Sequence, residues 1–371
     1  MTCTGTSSLT KTPSRGPVLS TDPLRAVPGA RVAIRAAHLP LPIAGLPHVL
    51  VGEKDARVVA ASPHGVTIVV PADAEPGRQT VRIDEMPGAS GELIVGATLA
   101  TDLHQVDSPV FDREGRLYAT RSGSRDAKPQ VPLFRIGLDR VKTPIAVDIG
   151  NPTSLAIGPD GWLYVSSRFD GNVYRLPLDD DTPDVERYAT ELGVATGLAF
   201  SPDGDLFVGD RSGTIFRVRP DRQVETYATL PASVAAFHLA FGPDECLYVA
   251  APTLATHDAI YRISPERLVD VVSDKFGRPQ GIAFDAVGNF FVVDALAGAS
   301  GLFKLDVTID VPEPELVVAA PSLIGVAFEP VSAVRLRQGS GGRDESQRVA
   351  LVSNDTVWKL DGMLTDSLEN A

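Results

Sequence analysis

The sequence predicts an all-β protein dominated by a β-propeller, and two observations support this. A unit of about 40–50 residues recurs along most of the chain, and each copy contains several short strands rich in aromatic and β-branched residues. The clearest copy, residues 196–218, reads TGLAFSPDGDLFVGDRSGTIFRV. One sheet of this kind cannot bury both of its faces alone, so the repeated sheets are expected to pack radially against one another.

Six copies of the first strand align, which predicts six blades. They begin with Ser108, Ser154, Gly197, His238, Gly281 and Gly325. The sixth copy stops after three strands, whereas a matching segment at residues 97–103 precedes the first copy. We therefore expect residues 97–103 to pair with the C-terminal blade, which closes the ring and covers an exposed edge.

The propeller accounts for residues 97–361, and three other segments surround it. Residues 1–17 are rich in Ser, Thr, Gly and Pro and predict a disordered tail, and residues 362–371 form a polar C-terminal tail. Residues 18–96 alternate short strands with Gly and Pro turns, which predicts a small β-sandwich. The chain is thus expected to fold as an N-terminal sandwich followed by a propeller.

The composition excludes several classes of partner. The 371 residues carry a formal net charge of −13, which disfavours nucleic acid as a partner. Only two cysteines are present, so a disulfide framework is not expected. The sequence shows neither a signal-peptide core nor a long apolar run, which predicts a soluble cytoplasmic protein without a membrane partner.

Two loops attract attention without predicting a site. The acidic run Asp179-Asp180-Asp181, followed by Asp184, invites a calcium interpretation. Calcium needs six or more converging oxygens, so a solvated loop is the expected structure. Residues 331–347 are rich in Gly and Ser and predict an exposed loop.

The first strands of a propeller begin at one mouth of its channel, where ligands usually bind. The residues at these starts form a mixed polar and apolar ring suited to a small organic ligand: Asp107, Thr153, Thr196, Phe237, Gln280 and Ile324. His238 stands out because the other five copies have a small residue at its position. Its imidazole could transfer protons or bind a metal, or it could only hydrogen-bond a neighbouring carbonyl.

Several arginines are expected on the loops at the same mouth: Arg121, Arg125, Arg168, Arg211 and Arg278. Such a cluster in an acidic protein favours a carboxylate or phosphate ligand held by bidentate hydrogen bonds. The alternative is that Asp170 and Asp210 pair with Arg168 and Arg211 as struts between blades.

The repeats resemble the gluconolactonase/regucalcin superfamily and the related NHL-repeat propellers over residues 97–361. Its Glu-Ser/Gly-Pro-Val-Trp motif matches Asp107-Ser108-Pro109-Val110-Phe111. The resemblance implies a divalent metal (Ca²⁺, Mg²⁺ or Zn²⁺) with Asp107 as a ligand. Two further ligands of the superfamily, an Asn and an Asp, are replaced by Thr196 and by Phe237-His238.

Residues 18–96 resemble an IPT/TIG immunoglobulin-like domain. The resemblance lies in Pro28-Gly29, in Val49 or Val51 with Gly52, in Ala60, and in the segment from Pro71 to Gly77. Domains of this kind usually pack or bind, so no catalytic role is expected for it.

These observations favour a lactonase-like hydrolase acting on a small polar or anionic substrate, with metal assistance as one option. Asp107 and His238 are the candidate catalytic residues. Seven residues are candidates for substrate binding: His104, Thr153, Arg168, Thr196, Arg211, Arg278 and Gln280. The alternatives are a non-catalytic binding propeller, or a lyase that uses His238.

Overall fold

The computed structural model describes residues 18–122, 131–137, 139–294, 300–330 and 347–361. Within these ranges the chain is an all-β propeller, which confirms the predicted class. Arg125, both tails and residues 331–346 lie outside the described ranges, so the expectations for them stay predictions. No helix in the described part is long and apolar enough to span a membrane.

Five separate four-stranded antiparallel sheets repeat around the molecule. Four of them use strands consecutive in the chain: β10 (Val110–Phe111), β11 (Leu117–Thr120), β12 (Leu133–Ile136), β13 (Lys142–Ile145); β14 (Pro152–Ile157), β15 (Leu163–Ser167), β16 (Asn172–Leu176), β17 (Glu186–Ala189); β18 (Ala195–Phe200), β19 (Leu206–Asp210), β20 (Thr214–Val218), β21 (Val224–Thr229); β22 (His238–Phe241), β23 (Leu247–Ala250), β24 (Asp258–Ile263), β25 (Val269–Phe276).

The fifth separate sheet joins the two ends of the propeller sequence. It contains β30 (Gly325–Phe328), β31 (Val349–Val352), β32 (Val357–Leu360) and β9 (Ala97–Ala100). β9 pairs antiparallel with β32, with Ala100 opposite Val357 and Thr98 opposite Trp358. The outer edge of β32 is therefore covered by a strand from the start of the propeller.

The remaining strands form one twelve-stranded sheet. Four of them, in antiparallel order, are β26 (Pro279–Phe284), β27 (Phe290–Asp294), β28 (Gly301–Leu305) and β29 (Glu315–Ala319). The other eight belong to the N-terminal region: β1 (Ser20–Asp22), β2 (Arg25–Ala26), β3 (Arg31–Arg35), β4 (Val49–Val51), β5 (Lys54–Ser62), β6 (Gly65–Val69), β7 (Gly77–Ile83) and β8 (Gly91–Val95).

The link between the N-terminal strands and the propeller is the short strand β2. It pairs in parallel with β8 on one side, through Arg25 and Ile94, and with β29 on the other, through Arg25 and Val318. One apolar core extends across this junction and includes Val27, Leu323 and Leu360. The N-terminal strands are therefore packed against the propeller rather than tethered to it.

The first strands of the repeats surround a common axis. β10, β14, β18, β22, β26 and β30 contact one another in this order, and β30 contacts β10. The second strands behind them are almost fully buried, and the fourth strands face solvent. Burial therefore decreases from the strands near the axis to the fourth strands.

Aromatic pairs connect successive repeats at the far end of the first strands. The last residue of a first strand packs against the second strand of the preceding repeat, with ring centroids 4.8–5.0 Å apart. The pairs are Tyr164–Phe200, Phe207–Phe241, Tyr248–Phe284 and Phe291–Phe328. Aromatic pairs in such geometries each add about 0.5–1.5 kcal/mol beyond simple burial.

Candidate functional site

Three of the predicted site residues meet at the end where the first strands begin. Asp107 precedes β10, His238 opens β22, and Gln280 is the second residue of β26. His238 Nδ1 lies 2.5 Å from Asp107 Oδ1, and His238 Nε2 lies 3.2 Å from Gln280 Oε1. The imidazole thus has a carboxylate partner on one nitrogen and an amide partner on the other.

The bond between His238 and Asp107 crosses the axis. β22 contacts β18 and β26, whereas β10 contacts β14 and β30, so the two strands are not neighbours in the ring. The side chains are 1% and 6% exposed. Where the sequence predicts an open channel mouth, the two side chains fill the channel. We call this buried polar pair the floor of the site.

Asp107 is held in place by its neighbour in the chain. Its Oδ1 also accepts a hydrogen bond from the backbone N–H of Ser108, at 2.6 Å. Ser108 Oγ in turn accepts the backbone N–H of Val326 in β30, at 3.2 Å. A carboxylate fixed in this way orients the imidazole that it contacts, which is the role of the acidic member in Asp–His pairs.

The small residues at the other strand starts are explained by close backbone approach. A Cβ added to Gly197 would lie 2.4 Å from the Phe237 carbonyl oxygen, and one added to Gly325 would lie 2.5 Å from Ser108 Cα. Adjacent first strands leave no room for side chains at these positions. His238 is accommodated because its imidazole extends across the axis instead.

The two threonines of the predicted site are buried and bonded to backbone. Thr196 Oγ1 donates to the Gly209 carbonyl at 2.9 Å and accepts the Phe237 N–H at 3.0 Å. Thr153 Oγ1 donates to the Asn151 carbonyl at 3.3 Å. Both hydroxyls therefore secure the strand starts, and the structure does not bring them into contact with His238.

The predicted arginines lie on connections at the same end but not in the buried floor. Arg278 is exposed, and Arg168 and Arg211 are partly exposed. Arg211 Nη2 donates to the Val234 carbonyl at 2.9 Å. These residues therefore lie at the end of the repeats where Asp107 and His238 meet, outside the buried pair.

The two aspartates of the strut alternative are engaged locally. Asp170 accepts the Asn172 N–H at 3.2 Å and the Tyr174 hydroxyl at 2.5 Å. Asp210 accepts the Val194 N–H at 2.7 Å and a hydrogen bond from the Ser212 hydroxyl. Both carboxylates therefore order their own connections.

His104, a predicted substrate-binding residue, lies beside the first repeat. A parallel bridge joins His104 to Arg121, and the His104 carbonyl accepts the Ser122 N–H at 2.8 Å. The following residue, Gln105, is 1% exposed and donates from Nε2 to the Ser353 carbonyl at 3.4 Å. Gln105 therefore connects the segment before β10 to the turn between β31 and β32.

The donor set does not fit a resident divalent metal at Asp107. Asp107 Oδ1 already accepts hydrogen bonds from two partners, and Thr196 Oγ1 uses both its donor and its acceptor capacity. Among the described residues, no three His, Cys, Asp or Glu side chains converge in a way that could hold a metal ion. The ligand set implied by the superfamily resemblance is therefore not reproduced.

Comparisons with known proteins identify the fold. No protein-family model matches the chain, and no curated protein matches it. The solved structures that are similar to the chain include a protein of unknown function from Bacteroides thetaiotaomicron VPI-5482, an auxiliary nutrient binding protein from Bacteroides ovatus ATCC 8483, and a gluconolactonase from Xanthomonas campestris.

The extent of each similarity differs. The first is 15% identical with a TM-score of 0.52, and it covers 95% of this chain and 99% of its own. The second is 13% identical with a TM-score of 0.52 and covers the same shares. The third is 14% identical with a TM-score of 0.56, and it covers 71% of this chain and 88% of its own. At these identities the comparisons establish the fold alone, a propeller that gluconolactonase-like proteins also have.

Proposed function

We propose that the protein is a lactonase-like hydrolase of small polar or anionic substrates, with the Asp107–His238 pair as its proton-transfer centre. The observation that carries the proposal is the 2.5 Å contact between His238 Nδ1 and Asp107 Oδ1 at the axis. A carboxylate on Nδ1 directs the opposite nitrogen toward the reacting groups, as general-base catalysis by an imidazole requires.

The proposed reaction uses only this chain's residues. His238 Nδ1 keeps its proton and donates it in a hydrogen bond to Asp107 Oδ1. Nε2 takes a proton from a water molecule as the water oxygen attacks the lactone carbonyl. The C–O bond of the ring then breaks, and the proton on Nε2 passes to the leaving oxygen to give a hydroxy acid. Gln280, 3.2 Å from Nε2, would move its amide aside or hydrogen-bond the attacking water.

The arginines supply the proposed preference for anionic substrates. Arg168, Arg211 and Arg278 follow or precede strands at the end where His238 lies. A guanidinium group binds a carboxylate in a bidentate arrangement, so these side chains would hold an acidic group of the substrate above the floor.

We also infer six blades and a separate N-terminal unit. β26 lies between β22 and β30 in the ring, so β26–β29 would act as a blade although their sheet continues into the N-terminal strands. Residues 97–361 would then form the propeller. The strands between residues 18 and 96 would form an IPT/TIG-like sandwich, an assignment that rests on the sequence resemblance.

The test is turnover of a panel of neutral and acidic lactones by the purified chain and three variants. His238→Ala and Asp107→Asn should each lower kcat by about 10²–10⁴-fold, the usual contribution of a general base. Arg211→Gln should raise KM for acidic lactones and leave neutral ones unchanged. A chelator should not reduce the rate, because the donor set does not fit a metal. A product one water heavier than the substrate would distinguish hydrolysis from a lyase reaction.

A second candidate function is ligand binding without chemistry. The exposed fractions of 1% for His238 and 6% for Asp107 favour it over catalysis. A pair this buried can stabilise the propeller by joining two first strands across the axis, and then takes no part in a reaction. If the panel shows saturable binding by calorimetry but no turnover, the hydrolase proposal fails and the binding propeller stands.

A further inference from the structure

An uncharged surface lies beside His238, at the end of the propeller where the first strands begin. Residues 231–237, which lead into His238, read PASVAAF, and residues 251–256, between β23 and β24, read APTLAT. Neither segment contains a charged residue, although charged residues make up 22% of the chain. Their exposed apolar residues form a surface that we call the mouth patch: Pro231, Ala232, Val234, Leu254 and Ala255.

Hydrogen bonds join the two segments into one surface. The Val234 N–H donates to the Pro252 carbonyl at 2.9 Å, and the Ser233 hydroxyl donates to the same carbonyl at 2.8 Å. Asp258 Oδ1 accepts the N–H of Thr253 at 2.9 Å and its hydroxyl at 2.6 Å, which fixes the second segment. These bonds hold the segments in shape while the Leu254 side chain stays 85% exposed.

The Arg211 guanidinium lies against the mouth patch. Its Nη2 donates to the Val234 carbonyl at 2.9 Å. Nowhere in the part of the chain that the structure describes does an Asp or Glu form an ion pair with it, and its Nε–H is buried there without a hydrogen-bond partner. The preceding residue, Asp210, is 5% exposed and accepts hydrogen bonds from the Val194 N–H and the Ser212 hydroxyl instead.

The arginines of the third strands differ from Arg211 in this respect. Four of them each bind a carboxylate within 3.3 Å: Arg135 with Asp181, Arg175 with Glu186, Arg217 with Asp205 and Arg262 with Asp270. Those positive charges are neutralised by the protein, whereas no described carboxylate is bonded to Arg211. An anion that reaches the mouth patch is therefore attracted to this guanidinium.

The mouth patch and Arg211 together match a ligand that has an anionic group and an apolar chain. Exposed apolar residues gathered beside a polar anchor are typical of a binding surface. We propose that the propeller binds a carboxylate carrying an apolar chain, with the carboxylate at Arg211 and the chain on the mouth patch. The inference rests on the proposed function, since it names the substrate class for the same entrance: an acidic lactone with an apolar chain.

The experiment measures binding of octanoate to the full chain by isothermal titration calorimetry, so it needs no turnover. Octanoate should bind saturably and about three- to tenfold more tightly than hexanoate, because two further methylenes are partly removed from water. Acetate should show no saturable binding. Octylammonium, which has the same chain and the opposite charge, should bind at least about tenfold more weakly, and added salt should weaken octanoate binding.

Four variants test the residues. Arg211→Gln should weaken octanoate about tenfold and leave binding of 1-octanol unchanged, because only the carboxylate contact is lost. Leu254→Asp should weaken both ligands about fivefold. Two matched controls should change neither affinity. Arg57→Gln removes an exposed arginine of β5, and Val287→Asp adds a charge at a valine that is 69% exposed in the turn between β26 and β27.

Several outcomes would overturn the inference. They are equal affinity for octanoate and acetate, tighter binding of octylammonium, or an octanoate affinity that Arg211→Gln and Leu254→Asp leave unchanged. Sedimentation with phosphatidylserine vesicles in the absence of octanoate binding would assign the patch to a membrane surface instead. Hydrolysis of neutral lactones without octanoate binding would refute this inference alone, whereas octanoate binding without turnover of any lactone would refute only the proposed hydrolase activity.

Discussion

The contact between His238 and Asp107 can be measured as a coupling free energy. His238→Ala leaves a buried carboxylate without its imidazole partner, and loss of one member of such a pair usually costs about 3–5 kcal/mol. Asp107→Ala should be similarly harmful because the imidazole is then buried with only Gln280 beside it. The double variant removes both groups, so its cost should fall short of the sum by about 1.5–3 kcal/mol.

The assay is urea unfolding of the four proteins in one buffer, monitored by circular dichroism and fluorescence together. Arg35 and Asp22 provide the matched control, because their 2.6 Å ion pair is 68% and 54% exposed and should couple by less than about 1 kcal/mol. Additive effects at His238 and Asp107, within about 0.5 kcal/mol, would refute a direct bond across the axis.

Three further predictions concern single positions. Burial raises the pKa of the Cys246 thiol to about 11, so little of the reactive thiolate is present at pH 8. In a variant whose other cysteine is replaced by serine, labelling of Cys246 by a thiol reagent should be very slow at pH 8 and should accelerate as the pH approaches 11. Hydrogen bonds that His48 donates to Asp84 and Asp55 raise the pKa of its imidazole, so these contacts add stability below pH 6.5 that is lost as pH rises through the folded pKa. An NMR titration should show a lower His48 pKa in Asp84→Asn, and an unchanged value would contradict the assignment. Gly325→Ala places a Cβ 2.5 Å from the neighbouring backbone. It should therefore lower the melting temperature more than Gly161→Ala does, because a Cβ at Gly161 meets open space and is disfavoured only by the left-handed φ of 80°.

The propeller could be predicted because each repeat carries its own local signals. Turn glycines such as Gly204 take a positive φ of 88°, and Glu245, which replaces the glycine in the fourth copy, takes φ 61° in the same turn. The pattern therefore survives one substitution and remains recognisable. The junction at β2 could not be predicted in this way, since its two residues carry no periodicity at all.

The site was predictable only in its parts. His238 departs from the small residues at its repeat position, and Asp107 was marked by the resemblance of Asp107-Ser108-Pro109-Val110-Phe111 to a superfamily motif. They are 131 residues apart in sequence, and their contact depends on the diameter of the ring, which no local pattern encodes. The bonds of Thr196 to the backbone of Gly209 and Phe237 join different strands, so its structural role could not be separated from substrate binding by sequence.

The acidic run shows the same limit. The side chains of Asp179 and Asp181 are exposed, as expected for a solvated loop, and they also bind Arg116 and Arg135 of the preceding repeat. Arg116 lies in the turn between β10 and β11, and Arg135 lies in β12. A repeat alignment alone does not reveal which loop reaches the neighbouring repeat.

The insertion of β2 between β8 and β29 has a consequence for shortening the chain. A protein that begins after Val95 would retain every strand of the propeller but lose the two residues that hydrogen-bond to Val318 and Ala319. The uncovered strand would then offer unpaired amide and carbonyl groups to other molecules, which is the usual origin of edge-to-edge aggregation. In the full chain β2 therefore covers the edge of β29 that a shortened chain would expose.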